Sequence, residues 1–337
     1  MYFFINSNLM FLFFMFIFST LMSKTSNSWM GCWMGLEINL LSFIPLISNS
    51  NNLLNWEASL KYFLSEPIAT INFLFSILVI LLLVKKFQIY FFFTTLINSS
   101  MMMKMGSAPF HFWFPNIVEG MTSLNCFILM SWQKITPMIL MSYYINNNFM
   151  MLIILINSLI GAIGGINQTS LRKFLSFSSI NNLGWMLLSI MISENLFLIY
   201  FIMYSFFISI MCFLFYMMNI YLINQLFIFN FNYMMKFLIL LILLSMGGLP
   251  PFLGYLPKWI IVNFLMIKNL YIITFIFIMI SLISLFFYNR KINCWILFNY
   301  SKFKWFNVFI KNKFFWYIIF FSLISSLGTI FTTMYFF

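Results

Sequence analysis

Four ionisable side chains lie well inside apolar stretches of the sequence: Glu37, Lys104, Lys134 and Lys258. A charge at the centre of a bilayer costs at least about 2.5 to 3.5 kcal/mol on insertion scales, so such residues are expected to face a bundle interior or a wet cavity. Burial and pairing change the pKa of a buried group in opposite directions, so small movements can switch facing Glu and Lys side chains between charged and neutral forms. This is the chemistry that a proton relay requires.

A purely structural role for these charges is the alternative. Glu37 and one lysine can form a static buried pair that fixes helix packing, although two lysines then remain unexplained. Lys258 lies next to Trp259 and can instead extend along its helix to the interface. His111 is the only histidine of the chain, and its unperturbed pKa suits proton transfer, but a hydrogen bond to a backbone carbonyl explains it equally well. The residues alone leave these alternatives open.

The remaining acidic residues carry weaker signals. Glu57 and Lys61 are four residues apart at the start of an apolar run, which favours a stabilising pair on one helix face. Glu66 lies further into the same run, directly before a proline, and the sequence assigns it no role. Glu119 and Glu194 are predicted at loops or helix ends.

Two segments rich in glycine and proline interrupt the apolar pattern, at residues 106–115 (GSAPFHFWFP) and 248–257 (GLPPFLGYLP). They share Gly, Pro, Phe and Pro at matching positions, and Lys104 precedes the first as Lys258 follows the second. Each proline leaves the carbonyl four residues earlier without its helical partner. The carbonyls concerned are those of Met105, His111, Gly247 and Leu253. Paired interruptions in two halves of a membrane chain point to the ion site of a transporter-like fold.

The elements that position these residues are predicted to be membrane-spanning helices. The chain is 64% apolar and 7% charged, with no aspartate, which excludes an ordinary soluble domain. Apolar runs predict about eleven crossings in a single all-α integral membrane domain. They lie near 3–22, 29–47, 57–84, 88–121 (broken), 122–145, 149–167, 173–191, 196–222, 236–266 (broken), 271–288 and 315–336.

The net charge of +12 is interpreted as membrane topology rather than as nucleic-acid binding. Most basic residues fall on one face of the predicted topology, which is therefore expected to be the matrix or cytoplasm and to hold the N-terminus. Five crossings separate the two interruptions, so the second runs through the membrane in the opposite direction. The predicted inverted repeats cover about 1–145 and 149–288, followed by a basic matrix-side connection at 289–313 and a C-terminal helix at 315–336.

The cysteines indicate no metal or iron–sulfur site. They are far apart, and none forms a CxxC pair or lies beside a histidine, which favours packing roles. These residues are Cys32, Cys126, Cys212 and Cys294. The abundance of Phe, Met, Ile and Asn is typical of AT-rich coding and hints at an organellar genome.

Four motifs in order resemble the antiporter-like membrane subunits of respiratory Complex I. They are WMGLEINLLSFIP at 33–45, the first interruption, NQTSLRKFLSFSSINNLGW at 167–185, and the second interruption extended to Trp259; the similarity runs from about 28 to 290. The resemblance implies inverted five-helix repeats, shortened by three N-terminal helices. It also implies a multi-pass protein of the mitochondrial inner membrane, with its N-terminus in the matrix and its C-terminus in the intermembrane space. The expected partners are other membrane and peripheral subunits of that complex and phospholipid, and FMN, iron–sulfur clusters and ubiquinone are expected in other subunits.

Residue roles also follow from the resemblance. Glu37 is the expected acidic partner of Lys104, Lys134 is the lysine of the central axis, and Lys258 passes or receives the proton at the second broken helix. His111 stands at the family's histidine in the first break. Asn182 replaces a frequent family histidine, and it can hold a water wire but cannot titrate.

These roles imply a subunit that couples redox energy released elsewhere in the complex to proton translocation through a buried Glu/Lys relay. Two other functions are compatible with parts of the pattern. A subunit of a free-standing cation/proton antiporter would use the same broken helices and lysines without redox chemistry. A structural membrane spacer would use the buried charges only to hold neighbouring subunits in register.

Overall fold

The computed structural model describes residues 7–48, 52–83, 87–228 and 233–298, together with residues 320, 322–323 and 325–326. Within these ranges the chain is helical, and its only β-type pairing is an isolated bridge between Ser170 and Leu222. The prediction of an all-α membrane fold is confirmed. The chain divides into two compact units, Met1–Ile153 and Ile154–Phe337.

The first unit holds seven complete helices and the start of an eighth, and α1 packs mainly on α2, while α3 packs on α2, α4 and α5. Their bounds are α1 Ser7–Thr25, α2 Trp29–Ser48, α3 Leu53–Leu83, α4 Phe87–Met105, α5 Trp113–Gly120, α6 Ser123–Met130, α7 Trp132–Ser142 and α8 Asn147–Gly164. The division between the units falls inside α8.

The second unit continues with six helices in its described part. They are α9 Leu171–Ile192, α10 Glu194–Met218, α11 Ile223–Ile228, α12 Tyr233–Gly247, α13 Tyr255–Ile267 and α14 Tyr271–Phe298. The side chain of Ser193 accepts a hydrogen bond from the Leu196 amide and caps the start of α10. Asn219 ends the same helix in the left-handed conformation, with φ 52°.

Seven of the described helices are long and apolar enough to cross a membrane: α1, α2, α3, α8, α9, α10 and α14. Both predicted breaks are present, because α4 ends at Met105 before α5, and α12 ends at Gly247 before α13. The count of eleven crossings stays a prediction, since the expected helix at 315–336 lies mostly outside the described residues.

The crossing predicted near 122–145 contains two helices, because α6 and α7 are separated at Ser131. The Ser131 hydroxyl donates to the Phe127 carbonyl at 2.6 Å, and the backbone torsions of Ser131 are φ −110° and ψ −72°. Serine bonded back to the preceding turn bends helices. The bend places Lys134 in the first turn of a separate helix.

The end of α14 is tied to the loop before α9. Lys291 Nζ donates to the Gln168 carbonyl at 2.5 Å, and Arg290 Nη1 donates to Asn167 Oδ1 at 3.4 Å. The ring of Phe287 stacks on Phe174 of α9 with centroids 4.5 Å apart. Helix α14 continues past residue 288, where the crossing was predicted to end. Its two basic residues, Arg290 and Lys291, are both bonded to the loop before α9.

Candidate functional site

Each break contains a glycine in the left-handed conformation, Gly106 with φ +64° and Gly248 with φ +84°. L residues with side chains rarely adopt this conformation. A Cβ added at Gly106 would lie 2.6 Å from the Cβ of Phe114, whereas one added at Gly248 would lie 2.9 Å from Nζ of Lys258. The broken backbone is repeated, but an aromatic ring lies beside it in the first unit and an amine in the second.

In the second unit, Lys258 is held at the break itself. Its side chain is buried, and its Nζ donates to the Gly247 carbonyl at 3.1 Å. This is the carbonyl that Pro251 was predicted to deprive of its helical partner, so the lysine replaces the missing amide donor. The burial of Lys258 also contradicts the alternative in which its amine extends to the interface.

A small cavity lies beside Lys258 and holds about 20 Å³ accessible to the centre of a water molecule, enough for about one water. Polar atoms from α9, α10 and α12 line it, including Asn182, Tyr200, Tyr204 and Ser245. The Tyr200 hydroxyl donates to Asn182 Oδ1 at 2.9 Å. Lys258 also lines a larger, mostly apolar cavity, of about 260 Å³ on the same measure. Its other lining residues include Trp185, Trp259 and residues of α14.

In the first unit, Lys104 is paired with a carboxylate. Its Nζ lies 3.8 Å from Oε2 of Glu66, and the two side chains are only 5% and 6% exposed. Glu66 comes from the middle of α3 and Lys104 from the last turn of α4. Glu66 is the residue that sequence reasoning missed, and the signal that marked it was a carboxyl inside an apolar run, beside a proline.

Glu37, the acidic partner expected from the sequence, takes a different position. It lies on α2, is partly exposed, and interacts electrostatically with both Glu66 and Lys104. The ion pair itself is made by Glu66. The structure therefore gathers two carboxyls and one lysine, where the sequence predicted one of each.

The pair faces a polar cavity smaller than the one in the second unit, with about 10 Å³ accessible to a water centre. Its polar lining comes from α2, α3, α4 and α7, and consists of Asn39, Tyr62, Glu66, Lys104, Gln133 and Thr136. Gln133 Nε2 donates to Asn39 Oδ1 at 2.9 Å, which joins α7 to α2 beside the pair. A separation of 3.8 Å is longer than a direct hydrogen bond, and the cavity has room for about one bridging water.

Lys134 and His111 lie elsewhere in the first unit. Lys134 is 1% exposed, and its Nζ lies 5.3 Å from the centroid of the Phe114 ring, within cation–π range. His111 is buried in the first break, where its ring packs on Phe112 with centroids 4.2 Å apart. Of the five predicted residues, the structure thus brings together Glu37 and Lys104, and it places Lys258 in the other unit. Their roles in proton transfer stay predictions.

Known proteins resemble this chain over most of its length. The model of the NADH:quinone oxidoreductase/Mrp antiporter transmembrane family matches residues 26–284. The chain is 50% identical over 312 residues to NADH-ubiquinone oxidoreductase chain 2 of Aedes aegypti, covering 89% of each. It is 46% identical over 306 residues to the same subunit of Anopheles gambiae, covering 89% of this chain and 88% of that one. A chain of respiratory complex I from Thermus thermophilus with bound aureothin has a similar fold, with a TM-score of 0.76 at 18% identity over 86% of this chain and 70% of that chain.

Proposed function

The chain belongs to the NADH-ubiquinone oxidoreductase chain 2 family of antiporter-like membrane subunits, and from this premise we propose which of its residues move protons. It is a core membrane-arm subunit of the proton-pumping NADH:ubiquinone oxidoreductase, a multisubunit complex of the mitochondrial inner membrane. Its contribution to the enzyme is proton translocation coupled to redox chemistry in other subunits.

We propose that Lys104 in the first unit and Lys258 in the second are the amines that take up and release the translocated proton. The observation that carries this proposal is that both amines are buried, each near an oxygen acceptor and beside a small cavity with polar side chains in its lining. A buried amine that changes partners can change its protonation state, and a pKa change of one unit corresponds to about 1.4 kcal/mol. Each charge moved works against about 2.3 kcal/mol per 100 mV, so changes of one or two units are of the right size.

The remaining features of the proposal concern orientation and partners. The N-terminus is placed in the matrix and the C-terminus in the intermembrane space, on the basis of the excess of basic residues on one face. FMN, the iron–sulfur clusters and ubiquinone are assigned to other subunits. Phospholipid is proposed to cover apolar side chains exposed on outer helices, such as Phe14 of α1 and Leu282 of α14.

The test is to replace Lys104 or Lys258 by alanine in the assembled complex and to measure protons translocated per electron. Either replacement is expected to reduce coupled proton translocation, while NADH oxidation with a water-soluble acceptor continues. Lys61→Ala is the matched control, because this lysine is 45% exposed and pairs with Glu57 at the surface. An unchanged ratio in both test variants would contradict the proposal and favour a structural spacer.

A free-standing antiporter subunit is the less favoured alternative. The fold alone does not separate it from a redox-coupled subunit, because the matching family includes both kinds of protein. The relatives at 46% and 50% identity are subunits of the NADH-ubiquinone oxidoreductase and match along nearly the whole chain. Copurification with flavin-containing and iron–sulfur subunits distinguishes the two.

A further inference from the structure

The acidic group at Lys104 contains one carboxyl more than the lysine can balance. Glu66 makes the ion pair, and Glu37 is near enough to interact electrostatically with both of its members. If all three groups were ionised, this group of side chains would carry one net negative charge. A buried, unbalanced charge is costly, and a protein relieves that cost by binding a proton.

The surroundings of the pair offer few other groups to carry that proton. Among the residues that line its cavity, the ionisable ones are Tyr62, Glu66 and Lys104. From α2 and α7 the lining supplies amides and a hydroxyl, namely Asn39, Gln133 and Thr136. Lys134 is not part of this lining. Neutral amides and hydroxyls can hold a water in place but do not replace the missing charge.

The burial of the two carboxyls separates their roles. Glu66 is 5% exposed and 3.8 Å from the amine, whereas Glu37 is partly exposed on α2. Glu66 is therefore the carboxyl whose position allows it to exchange a proton with the amine.

We propose that Glu66 is a further proton-carrying residue of the first unit and the immediate exchange partner of Lys104, an inference that rests on the proposed function. The Glu66 carboxylic acid gives its proton to the neutral Lys104 amine, directly or through one water. One O–H bond breaks, one N–H bond forms, and the products are a carboxylate and an ammonium ion with no change in net charge. The ammonium then passes its proton on, and the Glu66 carboxylate binds another proton, which resets the pair.

The chain offers a matched control on the same helix. Glu57 is also on α3, but its side chain is 58% exposed and pairs with Lys61 at 2.6 Å. Glu66→Gln and Glu57→Gln remove the same charge and add the same amide. In the assembled complex, Glu66→Gln is expected to lower the rate of coupled ubiquinone reduction at least about tenfold. A positioned acid contributes more than this to proton transfer, and water at the site can replace part of that contribution. Glu57→Gln is expected to leave it unchanged, and NADH oxidation by ferricyanide should be unchanged in both variants.

Infrared difference spectroscopy gives a readout that a purely structural ion pair would not change. Turnover of the parent complex should show a carboxylic-acid band that shifts in D2O, and this band should be lost in Glu66→Gln and kept in Glu57→Gln. If Glu66→Gln blocks assembly, Glu66→Asp is measured instead. A carboxylic-acid band at a different frequency from that of the parent supports the proposal, and a band at the parent frequency overturns it.

The outcomes also separate this inference from the proposed function. If Lys104→Ala abolishes pumping while Glu66→Gln retains parental turnover and the infrared band, the lysine is a proton carrier and Glu66 is not. If Lys104→Ala pumps like the parent, the proposed function itself fails. Loss of turnover in Glu66→Gln with the band retained would mean that Glu66 only holds the amine in position, which also overturns the inference.

Discussion

The two units contain the same broken backbone but surround their lysines with different acceptors. In the first unit Lys104 faces a carboxyl, and in the second Lys258 faces a backbone carbonyl. Four of the five acidic residues of the chain lie in the first unit, and the fifth, Glu194, is exposed at the start of α10. A carbonyl accepts a hydrogen bond from an amine in either protonation state, whereas a carboxylate bonds far more strongly to the charged form. The first unit is therefore the one whose lysine responds to the charge of its neighbour.

The largest expected effect tests this difference directly through stability. Lys104→Met should cost about 3 to 5 kcal/mol where Glu66 stays ionised, because a buried charge then loses its partner. The cost should fall at lower pH, where Glu66 binds a proton. Lys258→Met should cost about 1 to 3 kcal/mol, because it leaves only the Gly247 carbonyl without a donor. Thermal unfolding of the purified complex measures both, with Lys61→Met as the exposed control. Equal losses in the two buried variants would show that the acceptors do not differ in this way.

The glycines of the two breaks offer a second test, with an intermediate effect. Alanine at either position is expected to cost about 1 to 3 kcal/mol for the left-handed backbone. Gly106→Ala should be the more destabilising, since its Cβ would meet the Cβ of Phe114 at 2.6 Å, whereas Gly248→Ala meets the end of a flexible lysine at 2.9 Å.

The effects of the two glycine variants on proton translocation should rank in the opposite order to their effects on stability. In Gly248→Ala the new methyl group displaces the Lys258 ammonium from the Gly247 carbonyl, so proton translocation per electron should fall more than in Gly106→Ala. A comparison of thermal midpoints with pumping ratios checks the reversal, and the same ranking in both measurements would contradict it.

The smallest effect is expected at the surface pair of α3. Its oxygen and nitrogen are 2.6 Å apart, but both side chains are about half exposed. Glu57→Gln should therefore change stability by only about 0.3 to 0.5 kcal/mol, and less in high salt. A loss approaching that of Lys104→Met would show that burial is not what distinguishes the two acid–base pairs.

The features that sequence predicts well here are those set by local chemistry. Proline chemistry located both breaks, and the Gly247 carbonyl is one of the four that it identified as losing their helical partners. Two of the others accept amides three residues later instead, His111 from Phe114 and Leu253 from Leu256. The Glu57–Lys61 pair followed from helical spacing alone. In each case the interacting atoms are close in sequence or the proline itself fixes the geometry.

The features that were missed depend on how helices cross. Placing Glu66 beside Lys104 requires the packing of α3 on α4, which no local pattern specifies, and the family motif directed attention to Glu37 instead. The division of α6 from α7 falls at a serine, and other serines of the chain bond to the preceding turn inside continuous helices. Sequence located the buried charges, and tertiary structure decided their partners.

The contacts at the end of α14 have a consequence for the order of synthesis. Lys291 bonds to the carbonyl of a residue 123 positions earlier, and Phe287 covers Phe174 from the same helix. Because a ribosome releases the chain from its N-terminus, α9 enters the membrane long before this contact can form. A chain truncated before residue 287 would therefore leave Phe174 and the loop before α9 without these partners.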